Sequence, residues 1–264
     1  MSLSLLLPLV FGVVIGISLG AIGGGGSILT VPILVYVMGQ GAHAATATSL
    51  AVVGATALVG AIPHWQAGRV SLATALPFGA AGIGGAFVGA WANHALPGWL
   101  ILALFGTLML VVGGRMFLSA RLPLAVRGGE AVTLSLADAG PWARVGLTGL
   151  GVGLMTGFFG VGGGFLIVPA LVLVLGLGMR EAVGTSLVVI AINSAAGLLA
   201  HLRYDHLAVG LSLLFVVGGA AGALLGARLA GRIDERRLQR GFALFVVVLG
   251  LWLIATNLHG LAVG

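Results

Sequence analysis

The chain has 264 residues, of which 59% are hydrophobic and only 7% charged, with a formal net charge of +6. A soluble domain of this size carries far more surface charge, so the composition indicates an integral, α-helical membrane protein. Cysteine is absent, which excludes disulfides and thiolate metal sites. All basic residues other than histidine are arginines at the ends of apolar segments, so they indicate membrane orientation and not nucleic-acid binding.

Ten apolar segments follow one another along the chain, five in each half. Those of the first half are 3–22, 26–39, 43–63, 71–94 and 97–118, and those of the second are 142–159, 163–177, 181–201, 207–230 and 239–257. The first segment has no basic stretch before it, so we interpret it as a retained helix and not as a signal peptide. The predicted units are a membrane repeat over 1–119, a cytoplasmic linker over 120–141 and a second membrane repeat over 142–264.

The two halves share one sequence pattern at an offset of 137 residues, as from Gly23 to Gly160. Residues 20–32 (GAIGGGGSILTVP) return as 157–169 (GFFGVGGGFLIVP), and the Thr-Ser-Leu of 48–50 returns at 185–187. A duplicated apolar unit interrupted by glycine is typical of transporters built from two structural repeats.

The arginines predict how the segments cross the membrane. If the short second segment of each half did not cross, six arginines would lie on each face of the membrane. If all ten segments cross, Arg203 alone lies on one face, and the other face carries Arg69, Arg115, Arg121, Arg127, Arg144, Arg180, Arg228, Arg232, Arg236, Arg237 and Arg240. The positive-inside rule favours ten crossings.

We therefore predict an all-α polytopic membrane protein with two inverted-topology repeats of about five transmembrane segments each. The short, glycine-flanked second segments are expected to be broken helices. The protein is expected in the cytoplasmic (inner) cell membrane. Both of its termini are expected on the side of this membrane that faces away from the cytoplasm.

Two glycine-rich turns and nearby hydroxyls form the candidate binding site. Each turn precedes a helix whose first N–H groups lack intrahelical partners, and such N–H groups can bind an anion. The alternative is that the glycines only permit tight turns and close packing. Paired hydroxyls and an amide could donate to the same anion or hydrogen-bond between helices. The predicted substrate-binding residues are Gly23, Gly24, Gly25, Gly26, Ser27, Thr48, Ser49, Gly160, Gly162, Gly163, Gly164, Thr185, Ser186 and Asn193.

The titratable residues argue against catalysis and cation transport. No carboxylate lies in the middle of a segment, where a cation pump needs one. The histidines show no metal-ligand spacing, so neither a metal nor a cofactor nor catalytic residues are expected. His64 and His201 match across the halves, and we interpret both as interfacial polar residues, with proton linkage as the weaker alternative.

Glycines at a spacing of four form a second pattern, as at Gly12, Gly16 and Gly20. Such seams let helices pack closely, and they are compatible with a homodimer.

The segment GGGGSILTVP with its downstream ATATSL, and GVGGGFLIVP with its downstream VGTSL, resemble the TauE/SafE sulfite exporter family. The resemblance covers nearly the whole chain and implies a permease for a small anion such as sulfite or an organosulfonate, driven by the proton gradient, with its site between the repeats. We expect a secondary transporter that works by alternating access around a midplane site. A passive anion channel on the same scaffold is the alternative.

Overall fold

The computed structural model describes residues 3–40, 42–93, 98–119, 139–159, 164–201 and 209–263. Over these ranges the chain is helical and forms no strand. The helices are α1 (Leu3–Ile22), α2 (Gly25–Pro32, continued by a π-helical turn over Ile33–Val37), α3 (Ala42–Gln66), α4 (Leu72–Asn93), α5 (Gly98–Ser119), α6 (Ala139–Phe159), α7 (Gly164–Leu173), α8 (Met179–His201), α9 (Val209–Arg232) and α10 (Glu235–Val263).

These bounds follow the ten predicted apolar segments to within four residues, except that α10 continues six residues beyond its predicted end. In α7 only ten residues are helical, which corresponds to about 15 Å, or half the hydrocarbon thickness of a bilayer. By length and composition, four of the described helices are able to cross a membrane, α3, α4, α8 and α9, and the other apolar stretches are shorter. The all-α membrane architecture is confirmed.

Glycine makes the break between α1 and α2. The N–H of Gly23 closes α1 by donating to the carbonyl of Leu19 at 2.7 Å, and Gly23 then adopts φ +79°, a left-handed conformation that favours glycine. Gly24 caps α2 with φ −148° and without a side-chain hydrogen bond.

Glycine seams join the two halves of the chain in pairs of helices. On α1, a methyl group built on Gly12 would meet the backbone of Phe215 on α9, while one built on Gly20 would meet Ala223. Both helices therefore run in the same direction. The same pattern holds for α4 and α6, where Gly149 meets Phe78 and Gly157 lies farther along against Ala86.

The equivalent helices of the two halves run in opposite directions where they meet. Between α3 and α8, Gly54 faces Ser194 while Gly60 faces Leu187. Between α5 and α10, Gly106 faces Ile254 while Gly113 faces Val247. Each of these pairs joins helices at the same position in the two halves of the chain.

These helix directions place every described arginine at one end of the bundle, where α3, α5 and α9 end and α4, α6, α8 and α10 begin. We call it the arginine-rich end. Its residues are Arg69, Arg115, Arg144, Arg180, Arg228, Arg232, Arg236, Arg237 and Arg240. Arg121, Arg127 and Arg203 lie outside the described residues.

The arginine-rich end is also held together by side chains. The carboxylate of Glu235, in the first turn of α10, accepts the N–H of Met179 at the start of α8. Arg180 donates from Nη2 to the carbonyl of Ile233 at 2.8 Å. A carboxylate at a helix N-terminus is favourable because it caps free N–H groups and meets the positive end of the helix dipole.

Candidate functional site

The amino termini of the two short helices meet inside the protein. A methyl group built on Gly24 would overlap the carbonyl oxygen of Gly164 and lie 3.0 Å from the Cα of Phe165. One built on Gly164 would lie 2.5 Å from Ser27 Oγ and 3.2 Å from the oxygen of Gly24. Ser27 and Gly164 are equivalent at the 137-residue offset, so this contact joins matching positions of the two halves.

The two short helices leave this meeting point in opposite directions. Gly25 lies against Ser18 and Gly26 against Ile15, so α2 runs back along α1, away from the arginine-rich end. The helix α7 ends at Leu173, shortly before α8 begins with Met179 at the arginine-rich end, so α7 runs toward that end. Both helices thus begin in the interior of the bundle, where their positive dipole ends come together, and the N-cap of α2 makes no side-chain hydrogen bond.

The surroundings of this meeting point, which we call the glycine junction (residues 23–27 and Gly164), are buried. Gly23, Gly24, Gly25, Gly26 and Ser27 are all buried, and so is Gly164. Methyl groups built on Gly25 and Gly164 would lie 3.0 Å from the ring of Phe245 and 3.1 Å from Ile190 Cδ1, respectively. Apolar walls around free N–H groups strengthen their attraction for a negative charge because the local dielectric is low.

The hydroxyl groups at the junction already donate to backbone carbonyls. Ser27 Oγ donates to the oxygen of Gly24 at 2.8 Å, and Thr30 Oγ1 donates to that of Gly26 at 2.9 Å. Ser186 Oγ on α8 lies 3.1 Å from the oxygen of Gly23 and 2.8 Å from that of Val183. The backbone N–H groups of the first turn of α2 therefore remain as donors for a ligand at the junction.

The predicted threonines occupy different environments. Thr185 Oγ1 accepts the N–H of Ser71, just before α4, at 3.0 Å. Thr48 Oγ1 is buried and makes no hydrogen bond within the described part of the chain. Ser49 is buried beside it. Thr185 thus has a structural partner, whereas Thr48 keeps its hydroxyl available.

Asn193 lies on the face of α8 that reaches the junction. It is seven residues after Ser186 and three after Ile190, spacings that share one helical face. A methyl group built on Gly79 of α4 would lie 3.8 Å from Asn193 Oδ1, an atom that is buried and makes no hydrogen bond to the described residues. Asn193 is therefore the next polar group along α8 from the junction.

Of the second glycine-rich turn, the structure places Gly164 only. Gly160, Gly162 and Gly163 lie outside the described residues. Among the described residues there is no group of histidine and acidic side chains that could hold a metal ion.

Sequence reasoning missed two neighbours of the junction. Ser18 Oγ would lie 2.7 Å from a methyl group built on Gly25, and nothing in the pattern of α1 marked this serine. His64 was expected at the membrane interface, but it is 2% exposed and places Nε2 3.0 Å from the carbonyl oxygen of Gly20. Its match with His201 across the repeats was the available indication.

The chain is similar to known proteins over most of its length. The sequence profile of the family described as "Sulfite exporter TauE/SafE" matches residues 8–253. A protein of Xylella fastidiosa (strain 9a5c) named "Probable membrane transporter protein" is 34% identical over 255 residues, which is 95% of each chain. "Probable membrane transporter protein YdhB" of Bacillus subtilis is 28% identical over 242 residues, 91% of this chain and 96% of its own. No solved structure matches.

The family match extends over most of the chain and includes both glycine-rich turns. Together with the apolar helices, it makes this chain a multi-pass membrane protein of a transporter family. The chain belongs to the TauE/SafE sulfite exporter family.

Proposed function

We propose that the protein is a secondary transporter that carries a small oxyanion, sulfite or an organosulfonate, across the cytoplasmic membrane. The anion binds at the glycine junction, between the amino termini of α2 and α7. The observation that carries this proposal is the contact between Gly24 and Gly164, which brings two helix N-termini together in the interior.

The antiparallel packing of equivalent helices supports an inverted repeat, in which α1–α5 and α6–α10 cross the membrane in opposite orientations. The collection of the nine described arginines at one end supports a cytoplasmic location for that end. The start of α1 and the end of α10, and with them the two termini, then lie on the other side of the membrane.

Alternating access needs surfaces that move past one another. The seams between α1 and α9 and between α4 and α6 consist of glycine against backbone, and smooth surfaces of this kind allow helices to slide. We infer that the α3–α8 pair, which crosses the centre and carries Ser186 and Asn193, forms the fixed support of the site.

Flux of sulfite into proteoliposomes tests this function. Uphill accumulation driven by a pH gradient is expected for a transporter, whereas flux that never exceeds equilibration would assign the protein as a passive anion channel. Absence of any sulfite flux, with the organosulfonates taurine and sulfoacetate also inactive, would contradict the proposal.

The predicted hydroxyls have their own test, the double substitution Thr48→Val and Thr185→Val. Loss of flux is expected, and Thr48→Ser with Thr185→Ser, which keeps both hydroxyls, is expected to retain it. The control is Thr148→Val with Thr156→Val on α6, since both hydroxyls there only bond to carbonyls four residues earlier. Normal flux in the first double variant would remove these threonines from the site.

A further inference from the structure

We propose that His64 binds the proton that accompanies the anion, so that proton and anion occupy the protein together. This inference rests on the proposed function, because it assigns the coupling group of the same site.

His64 is a buried histidine with one nitrogen engaged and one free. Its Nε2 lies 3.0 Å from the carbonyl oxygen of Gly20. A carbonyl only accepts hydrogen bonds, so Nε2 carries the proton in the neutral ring. Nδ1 is buried and has no hydrogen-bond partner among the described residues. It is therefore a basic lone pair that is available to a proton.

His64 contacts both elements that frame the glycine junction. Gly20 is in the last turn of α1, three residues before Gly23. On α8, a methyl group built on Gly184 would lie 3.0 Å from His64 Cβ, and Gly184 is two residues before Ser186, which hydrogen-bonds to the carbonyl of Gly23. His64 is thus connected to the glycine junction through both α1 and α8.

The charged groups around His64 do not offer it a buried counter-charge. Its own segment continues to Arg69, whose Nη1 would lie 3.6 Å from a methyl group built on Gly231 of α9. The first turn of α8 contributes Arg180 and the exposed Glu181, the described part of α1 has no titratable residue, and the last turns of α9 carry the exposed Arg228 and Arg232.

A proton on Nδ1 would therefore create a buried cation next to Arg69, whose backbone N–H donates to the carbonyl of His64, and this is unfavourable. An anion at the junction supplies the missing counter-charge. Each ligand raises the affinity for the other by the same factor, since binding linkage is reciprocal. The step is a simple transfer: Nδ1 accepts H⁺ from water, the ring becomes imidazolium, the Nε2–H bond to Gly20 is kept, and Nδ1 returns the proton to water on the other side as the anion leaves.

The test compares wild-type protein with His64→Gln in proteoliposomes, with sulfite as the probe. Glutamine can donate to the carbonyl of Gly20 but cannot be protonated. His64→Asn is the matched control, because its shorter amide cannot reach that carbonyl. Sulfite–sulfite counterflow reports anion binding without net proton movement, and accumulation under a pH gradient reports coupling. Titration of sulfite itself is the same for all three proteins, so differences between them report on His64.

In wild type, the apparent affinity for sulfite is first corrected for the titration of sulfite itself. The corrected affinity is expected to rise by up to about tenfold per pH unit of acidification. His64→Gln is expected to keep counterflow within about threefold of wild type, to lose uphill accumulation, and to change its affinity by less than about twofold per pH unit. His64→Asn is expected to lose counterflow as well. If His64→Gln accumulated sulfite under a pH gradient as wild type does, with the same pH dependence of its affinity, the inference would be overturned.

Absence of counterflow in wild type would instead overturn sulfite as the substrate in the proposed function. If His64→Gln fails to fold, ¹⁵N-histidine NMR of the wild type decides. One histidine should change from a neutral ring protonated on Nε2 to imidazolium when sulfite is added at constant pH. A spectrum without this change contradicts the inference.

Discussion

Replacing Gly24 by alanine tests the contact between α2 and α7. Its φ of −148° is open to any residue, so the substitution adds a methyl group without straining the backbone. That methyl group would overlap the carbonyl of Gly164 and approach the Cα of Phe165 to 3.0 Å. Both obstacles are backbone atoms, which cannot turn aside as a flexible side chain can, and the two helix ends must therefore separate.

Overpacking of this kind costs about 1–3 kcal/mol, which in a chain of this size lowers the midpoint of thermal unfolding by roughly 2–10 °C. Sulfite flux should fall by about tenfold or more, because the N–H groups of the two helices no longer point at one position. Thermal unfolding in detergent and flux in proteoliposomes measure the two effects.

The control is Gly84→Ala on α4, where a methyl group meets no atom within 4 Å. It should leave flux unchanged and stabilise α4 by up to about 1 kcal/mol through its higher helix propensity. If Gly24→Ala behaved like Gly84→Ala in both assays, the two helix ends would not be in contact and the reasoning would fail.

Three further substitutions test the framework around the junction. Gly153→Ala should destabilise by about 1–3 kcal/mol in thermal unfolding because its methyl group overlaps the backbone of α4, whereas Gly151→Ala on the same helix meets nothing; equal stability of the two would refute the seam. Ser186→Ala should cost about 1 kcal/mol and weaken sulfite binding in a thermal-shift titration; an unchanged binding constant would show that its bond to the glycine turn is dispensable. Glu235→Gln should lower stability by about 0.3–1 kcal/mol, since the N–H of Met179 then meets a neutral acceptor, and a variant as stable as wild type at low salt would argue against this cap.

The helices could be predicted from the sequence because apolar segments and arginines follow general rules of membrane insertion. The segment 3–22, for example, is α1 as observed. The arginine distribution predicted ten crossings, and this number stays a prediction, since four of the described helices are able to cross a membrane by length and composition.

The side-chain geometry of the site could not be predicted in the same way. The bond from Ser186 to Gly23 joins residues 163 positions apart, and no local pattern indicates it. Thr48 and Thr185 each begin a Thr-Ser-Leu run, yet only Thr185 has a partner in the described chain, the N–H of Ser71. The burial of His64 likewise results from the packing of α1 and α8 around it, which hydrophobic periodicity does not encode.

The binding role of the predicted residues stays a prediction, and one diffraction experiment tests it most directly. Crystals soaked in selenite, the selenium analogue of sulfite, should show an anomalous difference peak at the amino terminus of α2, within hydrogen-bonding distance of the N–H groups of Gly25, Gly26 or Ser27. A peak found only among the arginines of the arginine-rich end would contradict the claim that the two helix ends hold the anion.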